Sequence, residues 1–188
     1  MGGPLAEPGD GRQSAAALAI ARGVRRLLRA RGFATVTELP LGSGRRADVV
    51  GVNGDGALLI VEIKSSIADF RADQKWREYA AHCDRLYFGV AADMPLDIMP
   101  QEAGLIVADS YGGEVLREPP LRAIAPAARR AVLLRFAIAA ADRLHRLADP
   151  AAPPEFGRLA AARRFDENGS ATRPRAIPKG RRQGGHRL

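Results

Sequence analysis

The residues of this chain that could do chemistry lie in two neighbouring apolar stretches. Val61-Glu62-Ile63-Lys64 sets a carboxylate and an ammonium two residues apart, on one face of a strand whose other residues are apolar. Charges placed this way cost several kcal/mol unless they are paired or bound to a metal. Asp48, flanked by Ala47, Val49 and Val50, is equally ill-placed for stability. On its own the Glu62/Lys64 couple also reads as a mutual ion pair at a strand end. If Asp48 meets Glu62, two carboxylates beside a lysine form a site for a hard divalent cation: Mg²⁺, with Mn²⁺ as substitute. Such a cation offsets charge on a phosphodiester and acidifies a water, with the lysine positioning that water or opposing the developing charge. The set suits phosphodiester hydrolysis better than peptide, glycosidic or redox chemistry.

Whether the two acids meet depends on one turn. Asn53-Gly54-Asp55-Gly56 is a strong hairpin signal. A three-residue connection, Gly54 to Gly56, pairs Asn53 with Ala57 and so brings Asp48 opposite Glu62 on one face. A two-residue turn at Gly54-Asp55 shifts the register by one and sends the acids to opposite faces. The site therefore requires the odd connection or a bulge, for which Gly56 is suited.

The elements around this hairpin follow from periodicity. Ser14 is a plausible N-cap for a helix to Ala30, with Gly32 as its stop. Leu18, Ala21, Val24 and Leu28 mark one face of it, and Arg22, Arg25, Arg26 and Arg29 another. Strands are expected over Phe33 to Leu39, Ala47 to Val52 and Ala57 to Lys64, the last central because Leu58-Leu59-Ile60-Val61 is apolar on both faces. Ser65 to Cys83 is expected to be mainly helical, with a break near Arg71 to Asp73. Further strands are expected at Arg85 to Val90, Gly104 to Ala108 and Glu114 to Leu116, and a closing helix over Pro126 to Leu147. This order describes a mixed sheet flanked by helices, an α/β domain.

With 188 residues and 46% hydrophobic content, the chain has material for one domain and its core. The foldable part spans residues 14–148, after a Gly/Pro-rich lead-in over 1–13. From 149 to 188 runs an Arg/Pro/Gly-rich tail, with a short helix near Phe156 to Arg164 and disorder expected beyond it. The formal charge is +8, and the tail carries +5 of it, from nine basic and four acidic residues. Such a tail reads as a polyanion-binding arm or as a solubilising extension. No run of about 18 apolar residues exists for a membrane helix. The opening residues lack the features of a signal peptide, and the one cysteine, Cys83, cannot form an internal disulfide. A soluble cytoplasmic protein is expected.

Asp48 followed by Glu62-Ile63-Lys64 resembles the core of the PD-(D/E)XK nuclease superfamily. Four longer strings, Gly44-Arg45-Arg46-Ala47-Asp48-Val49-Val50, Val61-Glu62-Ile63-Lys64-Ser65-Ser66, Asp69-Phe70-Arg71-Ala72-Asp73-Gln74-Lys75-Trp76 and Cys83-Asp84-Arg85-Leu86-Tyr87-Phe88, resemble more narrowly the MmcB family, a bacterial DNA-repair-associated group within it. The resemblance covers about Ser14 to Leu147. It implies a restriction-endonuclease-like fold in which Asp48, Glu62 and the Ile63 carbonyl bind Mg²⁺ and Lys64 serves the attacking water. Many superfamily members add a glutamate from the first helix, which here holds no acid. Glu38 is the best substitute, and Gln74 matches a glutamine that some relatives place beside the site. Ala47 stands where the motif's literal proline would be.

Arg45 and Arg46, just upstream of Asp48, are placed to meet a scissile phosphate; Arg22, Arg26 and Arg29 read as a solvated helix face or as added sequence-independent affinity for DNA. His82, His145 and His186 are too scattered for a ligand set, and Cys83 reads as a small buried hydrophobe. Trp76 and Tyr79, three apart, read as packing, with base stacking as the alternative. The expected function is Mg²⁺-dependent, structure-selective cleavage of DNA in repair, with other repair proteins as further partners. The rivals are a non-catalytic DNA-binding or scaffold factor that retains the fold, and RNA in place of DNA as substrate.

Overall fold

A computed structural model of the chain describes residues 14–73 and 75–151. The lead-in, Gln74, the Phe156 to Arg164 helix and the disorder expected of the tail lie outside the described residues. Helix α1 (Ala15–Ala30) begins where the Ser14 side chain accepts the Ala17 N–H (3.1 Å). It ends at Gly32, whose φ of +81° lets the chain turn back into strand β1 (Ala34–Pro40).

Strand β1 pairs antiparallel with β2 (Arg46–Val52), which pairs antiparallel with β3 (Leu58–Lys64). The β2–β3 register is the one the three-residue connection requires, with Val49 opposite Val61 and Val52 opposite Leu58. Asn53 sets it. Its Oδ1 accepts the N–H groups of Asp55 (3.1 Å) and Ala57 (2.8 Å), its N–H reaches the Ala57 carbonyl (3.3 Å), and Gly56 takes a φ of +75°. All seven residues of β3 are buried, as its apolar run leads one to expect of a central strand.

Past β3 come α2 (Ile67–Ala72) and a 3₁₀ helix over Trp76–His82, then β4 (Arg85–Val90), β5 (Gly104–Ala108) and β6 (Gly113–Arg117). The segment expected to be mainly helical is therefore one short α-helix ending at Ala72 and a tighter coil starting at Trp76. A 3₁₀ helix brings residues three apart into line, which buries Trp76 and Tyr79 together. The ring of Trp76 stands edge-on to Phe88 with centroids 5.4 Å apart, so packing explains this aromatic pair. A further 3₁₀ turn, Leu96–Ile98, gave no sign in the sequence.

The sheet order is β1-β2-β3-β4-β5-β6, with β3, β4 and β5 parallel to one another and the outer pairs antiparallel. It is the mixed α/β sheet expected. One face, with Val49, Leu59, Val61 and Ile63, packs on Ile20, Val24 and Leu28 of α1. The other, with Val50, Ile60, Phe88 and Leu105, packs on Trp76, Tyr79 and Val132. Val132 belongs to α3 (Pro126–Ala148), where Arg129 also holds the buried carboxylate of Asp84. The chain divides into two compact units at Ala141/Asp142. In the second, Arg146 pairs with Asp142 and the Asp149 N–H caps the His145 carbonyl. No helix among the described residues is long and apolar enough to cross a membrane.

Candidate active site

Below Val49–Val61 the β2–β3 ladder stops, one step short of Asp48 and Glu62. Oδ2 of Asp48 accepts the N–H of Ile63 (2.8 Å), in place of the Ala47 carbonyl that a continued ladder would supply. In return, Oε1 of Glu62 accepts the N–H of Asp48 (3.4 Å). Side chains have replaced main-chain partners, and the strands part around two carboxylates.

The β1–β2 ladder is interrupted at the same level. Thr37 pairs with Val49 and Leu39 with Ala47, while Glu38 between them adopts a φ of +50°. Val36 and Leu39 consequently pack in one core, as do Ala47 and Val50, although residues three apart on a regular strand face opposite ways. Asp48 thus lies at a kink flanked by interruptions on both sides.

The site is short of positive charge. Glu62 is 3% exposed, and burial first, then the neighbouring Asp48 charge, holds its carboxyl well above the usual range. Burial likewise pushes Asp48 up to about 6, against the opposing effect of the Ile63 N–H. Lys64, 5% exposed, gives its ammonium to Asp73 (2.7 Å) and not to Glu62, so the mutual pair open on sequence grounds is not what forms. Asp73 is itself oriented by the Lys75 N–H (3.2 Å). The Tyr79 hydroxyl donates to the Arg46 carbonyl (3.2 Å) and is held protonated by burial and by the two carboxylates.

Among the sequence-derived candidates, Asp48, Glu62, Ile63 and Lys64 are brought together. Glu38 stands at the level of Asp48, pairs with Arg46 and joins no three-acid cluster; among the described residues no group of three or more His, Cys, Asp or Glu could hold a metal. Arg45 pairs with Glu78 (2.9 Å) and lines an open cleft of about 570 Å³ between the β1–β2 turn and Ala72, Asp73 and Lys75. Arg22, Arg26 and Arg29 belong to α1, on the opposite face of the sheet from Trp76 and Tyr79. Asp73 and Tyr79 are site neighbours that residue spacing did not reveal. The available signal was that Asp73 falls in the expected helix break, where a short acid can turn back onto the sheet.

Two carboxylates fit a divalent cation without a third. Mg²⁺ keeps several waters and is held by one or two acids, and this buried carboxyl pair has its nearest ammonium engaged elsewhere.

Fold and site together define an α/β protein in which a mixed six-stranded sheet parts around a buried carboxylate pair and a lysine. A family model for MmcB-like DNA repair proteins matches residues 6–151. The chain belongs to this family. It is also 42% identical to a protein of unknown function from Silicibacter pomeroyi, whose structure aligns with a TM-score of 0.71 over 73% of this chain and 94% of that one. No protein of curated function matches.

Proposed function

We propose that this MmcB-like protein is a metal-dependent nuclease of the PD-(D/E)XK type, which hydrolyses DNA phosphodiester bonds in repair with Mg²⁺ or Mn²⁺. The observation that carries the reading is the parting of β2 and β3 around Asp48 and Glu62. A fold gains nothing from two adjacent acids whose carboxyls burial pushes up, whereas a cation site requires them. Asp48 and Glu62 would hold the ion together with the Ile63 carbonyl, which the end of the ladder removes from β2. The bound cation supplies positive charge against the phosphate and acidifies water. Lys64, fixed by Asp73, presents an ammonium beside the carboxylates to orient the attacking water or oppose charge on the phosphorus centre. Arg45 in the adjoining cleft would meet a neighbouring phosphate once it exchanges Glu78 for it.

Structure-selective cutting is the form proposed, because the described residues lining the cleft belong to turns and short helices, with no long helix or ribbon of the kind that reads base edges in a groove. The test is incubation of the full chain with labelled single-stranded, duplex, flapped and branched DNA, with Mg²⁺ or with chelator. Cleavage of at least one structure, abolished by chelation, is expected. Binding without cleavage of any of them would favour the non-catalytic scaffold.

A further inference from the structure

The arginines of α1 lie away from the carboxylate site, and the turn packed beside them is built with unusual care. Gly23 is what lets that turn approach the helix: a Cβ there would lie 2.1 Å from the Asp109 carbonyl oxygen and 2.2 Å from that of Gly112. Arg26 then donates to the carbonyls of Ser110 (3.0 Å) and Tyr111 (3.1 Å). Within the turn, Oδ1 of Asp109 accepts the N–H groups of Tyr111 (2.7 Å) and Gly112 (2.9 Å). Four hydrogen bonds and the close approach at Gly23 fix a turn whose one large side chain, Tyr111, is 82% exposed. An aromatic ring carried on a fixed main-chain turn yet left in water does not serve packing.

Its surroundings are basic. From Ser14 to Arg31 the chain has no acid, and Arg22, Arg26 and Arg29 are exposed along α1. Arg22 and Arg29 have no ion-pair partner among the described residues. Of the nearby carboxylates, Asp109 is taken up by the turn and Glu118 by Arg31, Arg85 and Tyr87. An aromatic platform flanked by free guanidinium groups is complementary to a nucleic-acid strand with unpaired bases: a ring stacks on a base while cations follow the phosphates.

We propose that α1 and the β5–β6 turn form a single-stranded-DNA platform, with Tyr111 stacking on a base and Arg22 and Arg29 taking flanking phosphates. The platform lies on the sheet face opposite the Trp76/Tyr79 layer, so a strand held there would be separate from one entering the cleft lined by Arg45 and Asp73. It rests on the DNA-directed part of the function proposed above and not on cleavage.

The test is fluorescence anisotropy of the full chain with labelled oligothymidine and with duplex DNA, in chelator, over a range of salt. Tyr111→Ala is expected to weaken oligothymidine binding about tenfold and to leave duplex binding nearly unchanged, while Tyr111→Phe, which keeps the ring, stays close to the unaltered protein. Arg22→Ala combined with Arg29→Ala is expected to weaken both ligands and to reduce the single-strand salt slope by about 1.4. Unaltered oligothymidine binding by Tyr111→Ala, equal losses on both ligands, or an unchanged salt slope in the arginine variant would overturn the proposal. A parallel cleavage assay separates the two claims. Binding of this kind without cutting leaves the platform standing and removes the nuclease; cutting with no Tyr111 effect does the reverse.

Discussion

Asp48 and Glu62 each occupy the other's strand: the Asp48 carboxylate takes the N–H of Ile63 at 2.8 Å, and the Glu62 carboxylate takes the N–H of Asp48 at 3.4 Å. The exchange keeps both acids at one point and ends the β2–β3 ladder there. The main-chain donors are satisfied, so the strands part without orphaned N–H groups. What is left uncompensated is negative charge.

That charge should register as a pH-dependent cost. The Asp48 carboxyl, pushed from an ordinary 3.8 up to about 6, binds its proton more tightly folded than unfolded. Its contribution to stability is then fully present below about pH 4 and lost as pH rises through about 6. Asp48→Asn keeps an acceptor for the Ile63 N–H and removes the charge. In chelator at pH 7.5 this variant should be more stable than the unaltered protein by ~1–3 kcal/mol, with the gap closing towards pH 4. Urea unfolding across that range checks it, and a less stable Asp48→Asn at pH 7.5 would contradict the charge argument.

A divalent cation should reverse the order. An ion that binds only the folded state stabilises it by about 2.7 kcal/mol at a hundredfold excess over its dissociation constant. Mg²⁺ or Mn²⁺ should raise the melting temperature of the unaltered protein and leave that of Asp48→Asn nearly where it was. Scanning calorimetry with and without metal measures both. Equal shifts in the two proteins would place the ion elsewhere.

The ammonium of Lys64 depends on Asp73. Their side chains are 6% and 17% exposed and meet at 2.7 Å, so Asp73→Asn strands a nearly buried cation. A cost of ~2–4 kcal/mol is expected, somewhat below that of a fully buried pair. Lys64→Met added to Asp73→Asn should recover at least half of it, because the stranded charge is then gone. A double-mutant cycle by denaturant unfolding reads the coupling; additive effects would mean the pair contributes nothing.

Gly23 sets the distance between α1 and the β5–β6 turn. The atoms an alanine methyl would strike are main-chain carbonyls, which cannot rotate aside as a side chain can. Gly23→Ala should cost ~1–3 kcal/mol or more and loosen the turn, seen as faster amide exchange at Tyr111 and Gly112. Unchanged exchange would show that the turn does not depend on this contact.

Much of the site was legible because a hairpin converts sequence positions into partners. Once Gly54 to Gly56 forms the connection, Asp48 must meet Glu62, and Asn53 enforces this by accepting two main-chain N–H groups on one side-chain oxygen. The central place of β3 followed equally directly from its apolar run. The choice of Asp73 over Glu62 as partner of Lys64 did not. It depends on where a broken helix returns over the sheet, which is a tertiary outcome. The left-handed Glu38 and the kink it shares with Asp48 were hidden for a related reason: alternating residues predict regular strands, and this irregularity sits where two carboxylates displace the ladder. The arginines of α1 were readable as a stripe, but only the packed fold assigns them to the opposite face of the sheet.

The most direct test of the central claim is the single-turnover cleavage rate, in Mg²⁺, of the best DNA substrate by the unaltered protein and by Asp48→Asn, each shown to be folded by circular dichroism. Cutting is expected of the first and a loss of at least about a hundredfold of the second, the scale of a lost transition-state charge interaction. Equal rates in the two proteins, or no cutting by the unaltered protein on any substrate, would contradict that claim.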